Sequence, residues 1–246
     1  MQAPFRWQGD HVAADLPGAQ VLFTTRRGGG SRPPFATLNL GPWTDDEPAS
    51  VARNQATLAG LAGLAPESLA LGHQVHGTVV ARVTSDPAGA VAEGVDGHAT
   101  ALPGVAPVVL VADCLPVALA ADGAVAMLHA GWRGLAGGIL AEGVAAVREL
   151  GGRGPLHAAI GPGAGGCCYE VGDEVRAHFA GEHADGRRLD LKAGARAQLE
   201  AAGVAAVHDT GLCTLCADPA LFFSHRRDGG RTGRQAGITW RSSSPA

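Results

Sequence analysis

Two apolar segments separated by Asp122-Gly123 constrain the fold more than any other part of this chain. The segments PVVLVADCLPVALA (107–120) and AVAMLHA (124–130) are rich in valine and leucine, which is typical of strands. An Asp-Gly pair between two such segments is a strong signal for a two-residue hairpin turn. With that turn, residue 121 faces 124 and residue 116 faces 129. The sequence therefore predicts an apolar central hairpin.

The predicted hairpin brings two metal-binding side chains to the same face of a sheet. Cys114 and His129 would be diagonal neighbours about 7–8 Å apart, because directly opposed residues share a face, as do residues two apart in a strand. Bonds of about 2.3 Å from zinc to sulfur and 2.0–2.1 Å to nitrogen can bridge that separation. A third ligand must come from a separate segment, and HQVHG (73–77) supplies two histidines.

We assign His76 as the third ligand, with His73 as its rival. Residues three apart in a strand point to opposite faces. Three nitrogen and sulfur ligands suit Zn²⁺ and leave a fourth position for water, as in catalytic zinc sites. Copper also accepts thiolate and imidazole. The alternative is a buried cysteine packed against two hydrogen-bonded histidines, with no metal.

Composition limits the class of protein. The 246 residues are 46% hydrophobic, with a formal net charge of −4 and a pI near 6.2, which supports a globular chain with a core. The acidic balance argues against nucleic acid as a partner. We find neither an apolar run of about 18 residues nor a signal segment, so we expect no membrane association. Five cysteines favour a reducing compartment, so we expect a cytoplasmic protein. The sequence indicates no protein partner.

Strand and helix patterns interleave along the rest of the chain. We predict strands at 19–25, 78–84, 156–162, 205–209 and 235–240, and helices at 48–62, 135–150, 172–180 and 192–202. Hairpins beside interleaved helices favour an α+β fold over a purely βαβ arrangement. The helix that follows His129 would direct its free N–H groups and positive dipole end toward the metal ligands.

Several segments beyond the ligand motifs resemble the YfiH family, long described as multicopper polyphenol oxidases or laccases. The resemblance covers about residues 20–240, and its most specific part is ADCLPV (112–117) followed by HAGWRG (129–134). The other matching segments are TTRRGGGS (24–31), PPFATLNLG (33–41), Asp46, Asn54, IGPGAGGCCYEVGDEV (160–175), LDL (189–191), Cys213-Thr214, FFSHRRD (222–228) and TGR (232–234). Gln55, Gly163 and His225 depart from the family pattern, which leaves the substrate preference open.

The resemblance implies a single α+β domain over residues 1–246, with mixed sheets between outer helices and with 1–18 and 241–246 as peripheral ends. It implies a zinc-dependent purine nucleoside phosphorylase that also deaminates adenosine. The implied substrates are adenosine, inosine, guanosine, methylthioadenosine and inorganic phosphate. The resemblance also carries the metal role onto His76, Cys114 and His129. Zinc lowers the pKa of a bound water to about 7, which would explain deamination, with Asp96 or Glu170 as candidates for proton transfer.

Phosphate needs cationic ligands, and arginine suits it because its planar fork donates two parallel hydrogen bonds. The residues that we assign to substrate or phosphate binding are Arg26, Asn39, Arg226 and Arg227. Those that we assign to catalysis are Cys114, His129 and Arg133. We expect at least one of the four arginines assigned here to point into the cleft that contains the predicted metal ligands. The alternative is that the arginines, Arg234 included, hold loops to carboxylates such as Asp46, Asp96 and Asp228.

The remaining cysteines give weaker signals. Cys167-Cys168 could supply a nucleophile, but two small buried side chains in a Gly-rich turn are the simpler interpretation. Cys213 and Cys216 form a single CxxC motif, and a zinc site of that kind needs a second pair, which we do not find in the sequence.

Three other functions stay open at this point. One is a copper-dependent polyphenol oxidase, although such chemistry usually needs several coppers and we find ligands for one compact site. The second is a non-catalytic metal-binding module in which His73 completes a four-ligand site. The third is a cysteine hydrolase with Cys114 as the nucleophile and His129 as its base.

Overall fold

The computed structural model describes residues 2–179 and 183–242, and strands dominate this part of the chain. The strands are β1 (Phe5–Gln8), β2 (His11–Leu16), β3 (Ala19–Phe23), β4 (Leu69–His73), β5 (Val80–Val83), β6 (Val91–Glu93), β7 (Gly97–Thr100), β8 (Ala106–Val111), β9 (Leu115–Asp122), β10 (Ala124–Ala130), β11 (Arg153–Ile160), β12 (Ala184–Asp185), β13 (Arg188–Leu189), β14 (Ala206–Asp209) and β15 (Gln235–Arg241). The α-helices are α1 (Pro48–Leu61), α2 (Trp132–Gly137), α3 (Ile139–Glu149), α4 (Asp173–Ala177) and α5 (Leu191–Ala201), and a 3-10 turn spans Pro66–Ser68.

One sheet has seven strands in the order β1-β2-β3-β15-β8-β4-β6. From β1 to β8 each strand is antiparallel to the one before it in this order, whereas β4 runs parallel to both β8 and β6. The N-terminal segment supplies β1 at the edge of this sheet and β2 beside it, and most residues of β2 are buried.

The second sheet has six strands in the order β14-β11-β9-β10-β7-β5. At its centre is the hairpin of β9 and β10, in which Ala121 faces Ala124 and Pro116 faces His129. This register confirms the two-residue turn. Gly123 has a φ of 93°, a left-handed conformation that glycine adopts at no steric cost.

The expectation of a single strand over 107–120 is wrong, because this segment forms two strands in different sheets. Strand β8 belongs to the seven-stranded sheet and β9 to the six-stranded sheet. Asp113 turns the chain between them with a φ of 89°, a conformation incompatible with an extended strand. Cys114 consequently lies at the crossover between the sheets rather than within a strand.

The two sheets pack face to face, and helices cover their outer surfaces. Phe23 and Val109 of the seven-stranded sheet join Ala118 and Met127 of the six-stranded sheet in one buried cluster. Helix α1 packs on the outer face of the seven-stranded sheet through Leu58, and α3 and α5 cover the outer face of the other sheet. The fold is therefore the predicted α+β arrangement, with mixed sheets between outer helices.

The helix predicted over 135–150 is two helices, because Gly138 interrupts it with a φ of 92°. The other three predicted helices are present, although α4 ends at Ala177, and residue 180 of the predicted range lies outside the described residues, as do 243–246. The sequence patterns missed β1, β2, β4, β6 and β7, which have only three to six residues each and so show little alternation. In the described ranges, no helix is both long enough and apolar enough to cross a bilayer.

Met127 lies fully buried between the sheets. A Cβ at position 237 would stand 3.0 Å from the Met127 sulfur, so Gly237 of β15 leaves the space that this side chain fills. We expect Met127→Ala to lower the free energy of unfolding by about 2–5 kcal/mol, measured by urea denaturation, because it leaves a cavity. Val79→Ala, at a side chain that is 56% exposed, is the control. Equal losses in the two variants would contradict this packing.

Candidate active site

A cavity of about 490 Å³ opens where the loop after β4, the crossover after β8 and the end of β10 meet. Its volume is within the range typical of small-molecule sites. The three predicted metal ligands line it. Three arginine and three aromatic side chains form other parts of its wall: Arg133, Arg226, Arg234, Trp43, Trp132 and Tyr169.

Asp113 holds the crossover that carries Cys114. Its buried carboxylate accepts hydrogen bonds from Thr214 Oγ1 at 2.6 Å and from Ser224 Oγ at 3.0 Å, and one from the backbone N–H of Arg226 at 2.9 Å. These bonds compensate for the burial of a charged group. They also hold the left-handed backbone that presents Cys114 to the cavity.

Asp96 orients His129, which lies near the end of β10. Its fully buried carboxylate lies 2.8 Å from Nδ1 of His129. A proton on Nδ1 that is donated to this carboxylate leaves Nε2 free as a ligand atom. Carboxylates commonly fix metal-binding imidazoles in this way, setting both the tautomer and the ring orientation.

The same carboxylate shapes the loop that carries His76. Its two oxygens accept the backbone N–H groups of residues 75–77 at 2.7–3.1 Å. His76 turns the loop with a φ of 61°, and its ring meets the ring of His129 with centroids 4.9 Å apart. The Gln74 side chain ties the loop to β8, because its amide makes two 2.8 Å hydrogen bonds with the backbone of Leu110.

His76, Cys114 and His129 offer three ligand atoms that lie within 4.8 Å of one another. A tetrahedral ion with bonds of about 2.0–2.3 Å separates its ligands by roughly 3.3–3.8 Å, so a small contraction completes the site. Gly131 leaves room for this, because a Cβ there would stand 2.9 Å from the Cys114 sulfur. One thiolate and two imidazoles fit Zn²⁺ and also accept copper.

His73 lies on the cavity wall but outside this group of ligand atoms. Its Nδ1 is 3.1 Å from Glu93 Oε2, and its ring stacks on Trp43 with centroids 4.6 Å apart. Among the described residues, this cavity therefore offers three side chains as ligands for one metal ion. Three ligands are the arrangement that catalytic zinc sites use, because the fourth position stays open.

The thiol and the imidazole of the group perturb each other. Burial opposes ionisation of Cys114, but the charge of His129 and hydrogen bonds from both histidines lower the pKa of the thiol to about 6. Burial also opposes the charged form of His129, but the Cys114 thiolate and the Asp96 carboxylate raise its pKa to about 9. Without a metal, both shifts favour the ion pair of a Cys114 thiolate and a protonated His129. A metal ion that binds here replaces the imidazolium proton.

Two arginines of the cavity wall have guanidinium N–H groups that remain available to bind an anion. The Arg133 guanidinium lies 4.3 Å from the centre of the Trp132 ring and makes no hydrogen bond or ion pair with any described residue. The Arg226 guanidinium lies 4.6 Å from the centre of the Tyr169 ring and donates to the carbonyl oxygen of Glu170. Neither is paired with a carboxylate in the described part of the chain.

Arg26 and Arg227, which the sequence analysis assigns to substrate or phosphate binding, lie outside this cavity. The guanidinium of Arg26 donates to the carbonyl oxygens of Ala36 and Pro219 at 2.7 and 3.0 Å. That of Arg227 forms an ion pair with Asp228 at 2.8 Å and also donates to carbonyl oxygens of neighbouring loops. Both arginines hold loops together, as in the alternative raised from the sequence.

Asn39 is fully buried and affects the cavity through Arg234. Its Oδ1 accepts the backbone N–H of Arg234 at 2.8 Å, and its Nδ2 donates to Asp46 at 2.9 Å. Asn39 therefore positions the backbone of Arg234, and it is Arg234 that lies on the cavity wall.

The two candidates for proton transfer do not line the cavity. The Asp96 carboxylate is already hydrogen-bonded to four N–H groups, and Glu170 is exposed.

The aromatic part of the wall was not predicted from the sequence. Trp43 and Trp132 are two of four tryptophans in the chain, and Tyr169 is its single tyrosine. Aromatic residues make up only 4% of this sequence, so their presence within or beside the recognised motifs was a usable signal. Such rings provide flat apolar surfaces on which a planar ligand can stack.

Residues 20–242 match the family described as multi-copper polyphenol oxidoreductase laccase. The chain belongs to this family. It is 38% identical over 231 residues to "Purine nucleoside phosphorylase Cgl2154/cg2365" of Corynebacterium glutamicum, covering 89% of this chain and 93% of that protein. It is 44% identical over 223 residues to "Purine nucleoside phosphorylase" of Deinococcus radiodurans, covering 86% and 85%. The crystal structure of Bacillus licheniformis hypothetical protein YfiH superposes with a TM-score of 0.90 at 30% identity, covering 98% of this chain and all of that one. The resemblance to the YfiH family is confirmed.

The Asp96 contacts generate a prediction about metal affinity. Asp96→Asn keeps the size of the side chain but removes one of two acceptor oxygens and the negative charge beside His129. We expect zinc affinity to fall by roughly 10–100-fold, measured by competition with a chromophoric chelator. Glu93→Gln changes an exposed carboxylate beside His73 and should leave the affinity unchanged. Wild-type affinity in folded Asp96→Asn protein would show that this carboxylate does not support the ligands.

Proposed function

We propose that this chain is a zinc-dependent purine nucleoside phosphorylase that also deaminates adenosine. One observation carries the proposal: the converging ligand atoms of His76, Cys114 and His129 face the same cavity as two arginines that have no carboxylate partner among the described residues. Both curated relatives compared above are named purine nucleoside phosphorylases and match most of this chain. The proposed substrates are adenosine, inosine, guanosine and methylthioadenosine, each with inorganic phosphate.

In this proposal the arginines bind and position phosphate. Arg133 and Arg226 donate charge-assisted hydrogen bonds to its oxygens, with Arg234 on the same wall. Phosphorolysis forms a bond from a phosphate oxygen to C1′ of the ribose and breaks the bond from C1′ to the purine, which leaves with the electron pair and takes up a proton. The cationic wall holds the nucleophile beside C1′, so two reactants meet in a fixed orientation.

His76, Cys114 and His129 would hold the zinc ion. Bound zinc supplies Lewis-acid polarisation of an oxygen ligand and lowers the pKa of water. In deamination a water oxygen adds to C6 of adenosine, and the amino group leaves as ammonia. Asp96 positions His129 without touching substrate. Tyr169 and Trp43 offer apolar faces to the purine, which is planar and stacks well on aromatic rings.

A cysteine hydrolase is the second candidate, and a specific contact favours it. Asp96, His129 and Cys114 form a carboxylate–imidazole–thiolate series, which is also the arrangement of a cysteine nucleophile with its base. His76 distinguishes the two cases, because a second imidazole on the same sulfur is useful to a metal but is not needed by the dyad. The family description also keeps copper oxidation as an alternative, although the described residues bring one His/Cys group into this cavity.

The decisive experiment separates these reactions by what each requires. Zinc-loaded protein is incubated with each of the four nucleosides, with and without phosphate, and the products are resolved by chromatography. We expect free purine base and a ribose 1-phosphate product only with phosphate, and inosine from adenosine without it. Protein stripped by a chelator should lose both activities and recover them with zinc.

Each alternative gives a different result in the same experiment. Nucleoside cleavage by the stripped protein that needs no phosphate and is lost on alkylation of Cys114 would establish the cysteine hydrolase. Oxidation of a phenol that depends on O₂ and on added copper, without nucleoside cleavage, would establish the oxidase. No base release by zinc-loaded protein in the presence of phosphate would contradict the proposed phosphorylase.

Arg133→Ala tests the phosphate site. Removal of one charge-assisted donor costs about 1.5–3 kcal/mol, so we expect KM for phosphate to rise by roughly 10–100-fold with zinc content unchanged. Deamination needs no phosphate and should fall far less. Arg6→Ala is the matched control, because Arg6 lies on β1 and forms an exposed ion pair with Asp15 of β2. An unchanged KM for phosphate in Arg133→Ala would remove this residue from the phosphate site.

A further inference from the structure

Four cysteines away from the active site form a second group of sulfur atoms. Cys167 and Cys168 lie in the loop after β11, and Cys213 and Cys216 lie in the loop after β14. All four Sγ atoms lie within 4.8 Å of one another. The closest separations are 3.3 Å for Cys167–Cys216, 3.5 Å for Cys168–Cys213 and 3.7 Å for Cys167–Cys168. All four are free thiols, and together they are called the cysteine cluster below.

The sheet explains why residues so far apart in sequence meet here. Strands β11 and β14 are parallel neighbours, with Ile160 opposite Asp209, so the loops that follow them leave from the same end of the sheet. A backbone bridge between Gly163 and Cys213 holds the two loops together. The CxxC motif therefore has a partner pair that the sequence analysis did not find, because Cys167 and Cys168 are adjacent rather than spaced as CxxC.

One sulfur of the cluster accepts a backbone hydrogen bond. The backbone N–H of Gly165 donates to Cys213 Sγ at 3.3 Å. Lys192, the single lysine of the chain, lies on the adjoining groove and is already paired with Asp209 at 2.7 Å. Arg196 on the same groove donates to the carbonyl oxygen of Val207. Four thiolates this close together would need a cation between them, and these two described side chains are engaged elsewhere.

We propose that the cysteine cluster binds one structural Zn²⁺ ion through four thiolates. A tetrahedral ion with Zn–S bonds of about 2.3 Å separates its sulfurs by roughly 3.8 Å, which lies between the shortest separations and the 4.8 Å limit of the cluster. A multi-iron cluster places iron and sulfide between its cysteines and needs more room than this. Four protein ligands leave no open position, which is typical of structural zinc rather than catalytic zinc.

The proposed ion would stabilise one wall of the active-site cavity from behind. Cys168 immediately precedes Tyr169, whose ring faces Arg226. Cys213 immediately precedes Thr214, whose hydroxyl donates to Asp113 at 2.6 Å, and Asp113 accepts the backbone N–H of Arg226. An ion that holds the two loops together would therefore help to fix both contacts of Arg226: the Tyr169 ring at its guanidinium and Asp113 at its backbone N–H. This inference does not depend on the reaction proposed above.

The chain offers a clean test, because Cys114 is its only cysteine outside the cluster. Proteins are expressed with zinc, purified under reducing conditions and analysed for zinc per chain by mass spectrometry of the metal. We expect two ions in the wild type, one in Cys114→Ser, one in Cys216→Ser and none in the double variant. One ion in wild type and none in Cys114→Ser would overturn the proposal.

Two further measurements keep the test valid if a variant folds poorly. Cys216→His should retain the ion that Cys216→Ser loses, because three cysteines and one histidine also bind structural zinc. Cobalt substituted into Cys114→Ser should give intense sulfur-to-cobalt charge-transfer absorption that is absent after Cys216→Ser. Four freely titratable thiols in metal-loaded Cys114→Ser, or cysteine pairs recovered as disulfides from freshly reduced protein, would contradict the zinc site.

Discussion

The buried carboxylate of Asp96 is the group on which the cavity depends. It accepts three consecutive backbone N–H groups from residues 75–77 and contacts the ring of His129. A carboxylate with no exposed surface is stable as an anion only when such donors replace water, and burial raises its pKa while His129 and these N–H groups lower it overall. One side chain thus sets both the position of the His76 loop and the orientation of His129.

Asp113 performs the corresponding task for Cys114. Its carboxylate accepts two hydroxyl groups and one backbone N–H from the segment 214–226, and its left-handed backbone moves the chain from one sheet to the other. The three predicted metal ligands therefore come from both sides of the boundary between the sheets. Because each is fixed by a buried carboxylate, the cavity is built from rigid parts and requires only a small contraction to hold an ion.

The sequence predicted those features of the site that depend on residues close together in the chain. The Asp122-Gly123 turn predicted the register of β9 and β10. Cys114 and His129 do approach each other as predicted, but Cys114 does so from the crossover before β9 and not from a shared strand face. The break at Asp113 could not be predicted, because its hydrogen-bond partners lie about a hundred residues further along the chain. The cysteine cluster was missed for the same reason: it depends on the parallel pairing of β11 with β14. Arg26 and Arg227 were assigned to phosphate because arginine suits that ligand. In the structure their guanidinium N–H groups donate to loop carbonyl oxygens instead, and Arg227 also pairs with Asp228.

The charge of the cavity bears on its chemistry. The whole chain has a formal net charge of −4, but the cavity wall carries Arg133, Arg226 and Arg234 against a single lining carboxylate, Asp113. A zinc ion held by one thiolate and two neutral imidazoles would add a further positive charge. A concave surface of one sign concentrates ligands of the opposite sign, which supports the proposed phosphate site and gives no comparable attraction for a neutral phenol. The electrostatics of the cavity therefore favour phosphorolysis over phenol oxidation.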